Sequence, residues 1–213
     1  ALLAGVAERV GIAIQQADAK EELIALSRTD SLTGLYNRRA FVESVEQIIE
    51  ARSKSGHRAA LIYVDLNNFK SVNDTFGHIQ GDAALKAAAQ LMADSAEGDD
   101  LVGRIGGDEF ALWLEVEDQA EAEKRAADLA ELSQGLSEYS KDLPAPFGMA
   151  IGIALFEPDS DEEIDELFAR ADHAMYAAKR DAEQKFILAP PADKVAPQMA
   201  RNIETERSDG AVR

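Results

Sequence analysis

A chain of 213 residues, 46 % hydrophobic and 29 % charged, carries enough apolar material for one well-packed domain with appendages, or at most two small domains. Its 22 Lys and Arg against 40 Asp and Glu leave a net charge of −18, which excludes a non-specific nucleic-acid binder and obliges any polyphosphate ligand to find local cations or a divalent metal. The absence of cysteine excludes disulfides and thiolate metal sites, and no apolar run has the length of a membrane span.

Residues 1–28 predict a helix: Leu3, Val6, Val10, Ala13 and Ala17 recur at helical spacing, and Leu23, Ile24 and Leu26 extend the apolar side. A lone amphipathic helix cannot bury its own stripe. Two readings stand: a surface helix folded back on the domain, or a dimerising stalk. The chain opens at Ala1 in mid-pattern, without the layout of a signal peptide, and reads as a piece of a longer protein.

TDSLTGLYNRRAF (29–41) is a turn-rich connector broken by Gly34 and Asn37, and Asn37 suits the N-cap of a helix carrying Phe41, Val45 and Ile48 on one face. SKSGH (53–57) ends that helix. AALIYVD (59–65) is a nearly continuous apolar run, as expected of a strand buried on both faces, and it ends in Asp65. After a short irregular stretch, Ala84, Leu85, Ala88, Leu91 and Met92 mark a helix running to about residue 96.

DLVGRI, two glycines and DEFALWL then predict a hairpin whose glycines supply positive φ. A charged helix (117–136), a buried strand (144–156), a helix with Ile164, Leu167, Phe168, Ala171 and Met175 in one stripe (162–180) and a short strand (185–188) follow. From Pro190 the periodicity vanishes, which predicts a disordered tail. The order implies an α/β or α+β fold, a sheet covered by helices. No P-loop motif is present.

Asp65 ends one apolar strand, and Asp108 and Glu109 open another just beyond the Gly106–Gly107 turn. If the strands are neighbours, two carboxylates meet at one rim and repel unless protonated or bridged by a hard cation. The alternative is plainer: Asp65 caps a turn and Asp108 is a solvated hairpin residue. DLNNFKSVND (65–74) fails as a calcium loop, because Phe69 and Lys70 stand where that loop needs an oxygen ligand and a glycine. His57 and His173 are read as structural or solvated, Trp113 as core.

DLNNFKSVNDTFGHIQGD (65–82) and RIGGDEF (104–110), with TDSLTGLYNRRAF before them and ADHAMYAAK (171–179) after, resemble in that order the GGDEF domain of diguanylate cyclases over roughly residues 29–188. The resemblance implies a palm-like central antiparallel or mixed sheet covered by helices, similar to nucleotidyl cyclases, and condensation of two GTP into cyclic di-GMP with release of pyrophosphate. It implies two Mg²⁺ per site, with Mn²⁺ as a substitute, held by Asp65, Asp108 and the Leu66 carbonyl. Asn73 and Asp82 would read the guanine edge, with His78 also at the nucleotide. Lys70 and Lys179 would sit on phosphates, and Gly106 and Gly107 would let the backbone approach the ligand. Asp108 would accept the proton, assisted by Glu109.

The resemblance further implies a cytoplasmic homodimer, paired through residues 1–28 under an upstream sensory domain, with neither nucleic acid nor direct membrane insertion. VAERVGIAIQQADAKEEL also resembles the last helix of a GAF-type sensor. The expected division is a signalling helix (1–28), the cyclase domain (29–188) and a disordered tail (189–213).

The chain departs from the family pattern at several places. Ala182, Glu183 and Gln184 replace a Gly-Arg-Asn turn whose arginine touches phosphate, so an acid stands where a cation is expected, unless Arg180 or Lys185 substitutes. The alternative function is therefore a catalytically weak domain that holds GTP as a regulatory module. Glu97-Gly98-Asp99-Asp100 replaces the R-x-x-D of product inhibition, so strong feedback through that site is not expected. Asn67 replaces an acid, and Gly148, Met149 and Ala150 replace small polar residues.

Overall fold

A computed structural model describes residues 28–52, 58–141, 143–158, 160–181 and 184–192. The helix expected over 1–28 lies outside the described residues except for Arg28, as do His57, Ala182 and Glu183. Six strands form one mixed sheet in the order β1-β3-β4-β2-β5-β6, where β1 is Tyr36–Asn37, β2 Ala59–Asn67, β3 Leu101–Arg104, β4 Glu109–Glu115, β5 Gly148–Phe156 and β6 Phe186–Leu188. β2 runs antiparallel to both β4 and β5, while β1 and β6 pair parallel to β3 and β5 at the edges. That central place explains why every residue of β2 up to Leu66 is buried.

The two faces of β2 divide by parity. Ala60, Ile62, Val64 and Leu66 join one core, under α3 (His78–Ser95) and α4 (Gln119–Leu132); Leu61 and Tyr63 join the other, under α1 (Arg38–Arg52) and α5 (Ile164–Arg180). Phe41 and Trp113 anchor the second core. α5 lies directly on β5 at Gly152, where a Cβ would strike the backbone of Ala171 and Met175. Asn37 caps α1, its Oδ1 accepting from Ala40 N at 3.0 Å, and the start of α5 is closed by a capping box between Glu163 and Glu166.

The irregular stretch after β2 is instead α2 (Phe69–Phe76), entered through Asn68 in the left-handed region at φ 63°. Two turns with only Val72 buried are too short to declare a period. The helix expected over 117–136 ends at Leu132 and gives way to 3₁₀ turns over Ser133–Ser140. The hairpin of β3 and β4 is as expected, but its glycines are not at positive φ; among the described residues Gly34, Gly77 and Gly98 are. Of the tail expected over 189–213, residues 193–213 lie outside the described residues; of the rest, Ala189 is buried and donates to Ile153 O at 2.7 Å, and Pro190 O accepts from Arg170 Nη1 at 3.0 Å. Among the described residues no helix is long and apolar enough to cross a membrane.

Candidate active site

The pairing of β2 with β4 decides where the acids go. Asp65 stands opposite Glu109 in the register, and Leu66 N donates to Asp108 O at 3.1 Å, which ties the hairpin turn to the end of the central strand. Ile105 N and Gly106 N both donate to Glu109 O, at 2.9 and 3.2 Å, closing the turn. Gly106 leaves room for an acid: a Cβ there would overlap the Glu109 carboxylate. At Gly107 nothing among the described residues would lie within 4 Å of a Cβ.

The carboxylates share a crowded field. Asp65 is buried, and its Oδ1 accepts from Lys179 Nζ at 2.6 Å. Burial, and then the Asp65 charge, push the Asp108 carboxyl above its ordinary range against the opposing pull of Lys179 and Arg104. Glu109 is raised by burial and then by Asp172, Asp65 and Asp108, while a hydrogen bond with Tyr63 opposes the shift. An acidic rim of this kind is relieved by added positive charge. The carboxylate oxygens of Asp65 and Asp108 are donors of the kind a hard divalent cation takes, since Mg²⁺ is ordinarily held by one or two carboxylates with water and phosphate completing its shell; among the described residues no group of three His, Cys, Asp or Glu is placed to hold a metal ion.

Arg104, the last residue of β3, braces the turn. Its Nη2 and Nε donate to Gly107 O at 2.6 and 3.2 Å, and its Nη1 donates to Asp30 Oδ1 at 3.1 Å. Asp30 in turn accepts from Thr33 N and Thr33 Oγ1 at 2.9 and 2.7 Å. The entry turn and the acidic turn are thereby one bonded unit.

Of the residues singled out from the sequence, Asp65, Leu66, Gly106, Gly107, Asp108, Glu109 and Lys179 converge at this rim. Lys179, expected on a phosphate, bonds Asp65. Lys70, Asn73, His78 and Asp82 form a second group on α2 and α3, which follow β2 immediately in the chain. Lys70, His78 and Asp82 are exposed and Asn73 is half-buried. Among the described residues no hydrogen bond or ion pair joins this group to the rim.

Sequence reasoning missed Asp172, Tyr63 and Arg104. Asp172 and Lys179 stand seven residues apart, two turns of α5, so helical spacing could have put them on one face. Trp113 is core as expected, although its Nε1 is the one buried side-chain nitrogen or oxygen among the described residues without a partner.

Fold and rim together define a palm-like α/β domain with a carboxylate pair at the end of its central strand. The model of the diguanylate cyclase GGDEF domain matches residues 27–185, and the chain belongs to that family. Among its relatives, the bifunctional diguanylate cyclase and cyclic di-GMP phosphodiesterase MucR of Pseudomonas aeruginosa is 36 % identical over 168 residues, covering 79 % of this chain and 24 % of MucR. The diguanylate cyclase DgcP of Escherichia coli is 31 % identical over 199 residues, 90 % of this chain and 56 % of DgcP. The chain thus spans between a quarter and just over half of these relatives. The isolated GGDEF domain of TpbB (YfiN) from Pseudomonas aeruginosa superposes with a TM-score of 0.68 at 32 % identity, covering 81 % of this chain and 99 % of that one.

Proposed function

We propose that this domain is a diguanylate cyclase that joins two GTP into cyclic di-GMP and releases two pyrophosphates. The observation that carries the reading is the meeting of acids at the end of β2, where Asp65 pairs with Glu109 and Leu66 N donates to Asp108 O, with the Asp108 carboxyl raised by burial and by the Asp65 charge. Asp65, Asp108 and the Leu66 carbonyl would hold the divalent cations, Mg²⁺ or Mn²⁺. Such a cation, when bound, neutralises phosphate charge and favours ionisation of a hydroxyl.

The protein's own groups supply the rest. Each of two domains facing across a two-fold axis binds one GTP. The 3′-hydroxyl oxygen of each nucleotide bonds to the α-phosphorus of the other, the bond from that phosphorus to pyrophosphate breaks, and the hydroxyl proton passes to a base. In this reading Asp108 is the acceptor, assisted by Glu109. Lys70 meets the phosphate charge as it develops. Asn73 and Asp82, with His78 beside them, read the guanine, whose ring N–H and exocyclic amine adenine does not offer together. Residues 1–28 pair the domains under an upstream sensory domain, in the cytoplasm.

A second reading, a GTP-holding regulatory module with little turnover, is favoured by two features: Glu183 in place of a phosphate arginine, and the engagement of Lys179 by Asp65. Product formation from GTP and Mg²⁺, by wild type beside Asp108→Ala at several protein concentrations, separates the two. Product that needs Asp108 and rises faster than linearly with protein supports the dimeric cyclase. Bound GTP without product supports the module. Added cyclic di-GMP is expected to leave the initial rate unchanged, because Asp100 is bonded internally by Arg125 Nη2 at 2.7 Å and by the Glu97 and Glu115 amides.

A further inference from the structure

Helix α3 contains a glycine that its own composition does not explain. Its following turns use alanine freely, at Ala83, Ala84, Ala87, Ala88 and Ala89, and glycine within a helix is less stable than alanine. Gly81 is buried and is not at positive φ, so no backbone conformation requires it. The reason is space. A Cβ at Gly81 would overlap Asn73 Oδ1 and lie 2.8 Å from Asn73 Cγ and 3.3 Å from Nδ2.

Asn73 belongs to the preceding helix, and its backbone is fixed from the other side. Its carbonyl accepts from Gly77 N at 2.9 Å, and Gly77 turns the chain into α3 at φ 83°. Among the described residues no hydrogen bond engages the Asn73 side-chain amide, so its seat against Gly81 is what orients it. An amide carries a donor and an acceptor on one carbon, and exchanging or displacing them changes which base it accepts.

We infer that Gly81 is a specificity-determining residue: the notch left by its missing side chain seats the Asn73 amide for recognition of the guanine base. The inference rests on the reading of this domain as a GTP site. A terminal amide can swing aside for a methyl group, so Gly81→Ala leaves the fold intact and misplaces the base reader.

The test compares wild type, Gly81→Ala, Asn73→Ala and the double variant, titrated with Mg²⁺–GTP and Mg²⁺–ATP by calorimetry, with a thermal melt of each. Gly81→Ala is expected to melt at or above the wild-type temperature, to lose about tenfold in GTP affinity and to keep its ATP affinity. In the Asn73→Ala background the same change is expected to alter GTP affinity by less than about twofold, because the group it displaces is gone. Full GTP affinity in Gly81→Ala, or losses that add in the double variant, overturns the inference and leaves the GTP reading standing. A lowered melting temperature that Asn73→Ala restores still supports the seat; one that it does not restore overturns it. A wild type that binds GTP and ATP alike overturns the base-reading role itself, and that outcome is visible before any variant is made.

Discussion

The half-buried Asp108 carboxyl faces the Asp65 charge at the end of the sheet, and Lys179 and Arg104 only partly offset the cost of ionising it there. A carboxyl raised by folding contributes stability in full below its unfolded value and loses it as pH rises through the folded value. Asp108→Asn, which cannot ionise, should therefore melt above wild type near neutral pH in the absence of divalent metal, and the two should converge in acid. A pH series of thermal melts checks the sign. Mg²⁺ should reverse the order, raising the wild-type midpoint and leaving the variant where it was, because only the wild-type rim gains a cation. A rim that is costly when empty and relieved by its ligand is the usual exchange of stability for chemistry.

At the scale of elements, the acidic turn is held from outside its own hairpin. Arg104 joins Gly107 O to Asp30, and the Arg104 and Asp30 side chains are only 14 % and 23 % exposed. Burial pushes the Asp30 carboxyl up, but the Thr33 and Arg104 hydrogen bonds and the Arg104 charge outweigh it and leave it lowered. The sign is opposite to that of Asp108: this stability is present above the unfolded value and lost as pH falls through the folded one. Arg104→Ala should cost about 1–3 kcal/mol in urea unfolding at neutral pH, since it removes the charge partner of Asp30, leaving that carboxylate only its Thr33 bonds, and both side-chain donors to the Gly107 carbonyl. Its deficit should shrink in acid. The opposite side of the sheet offers a purely steric test. Gly152→Ala sets a methyl group against the α5 backbone, which cannot rotate aside as the Asn73 amide can, and should cost about 1–3 kcal/mol in the same assay.

For the whole molecule, a net charge of −18 sets the field that any nucleotide must enter. GTP without metal is itself an anion, so its capture opposes that field, and added monovalent salt screens the repulsion. Affinity for GTP in the presence of a chelator should therefore rise from low to moderate ionic strength, the reverse of what a basic site would give. With Mg²⁺ present the dependence should flatten. Calorimetric titration over a salt series distinguishes the two.

The ordered motifs from Asp65 to Lys179 were legible in the sequence because chemistry confines them to particular residue types at particular spacings. The central strand was legible too, since burial on both faces leaves an unbroken apolar run. The positive φ expected of the turn glycines is absent, and Gly106 has a local reason to be small, because the Glu109 carboxylate occupies its side-chain space. Pairing across the sheet and packing between helices join residues far apart in the chain. Only they set Lys179 on Asp65, Asp172 beside Glu109 and Asp30 on Arg104. By itself the sequence determined the family, the strand that carries Asp65 and the inventory of charged groups. The tertiary structure alone decided which of those charges face one another, because that depends on register and helix placement, which no local pattern encodes.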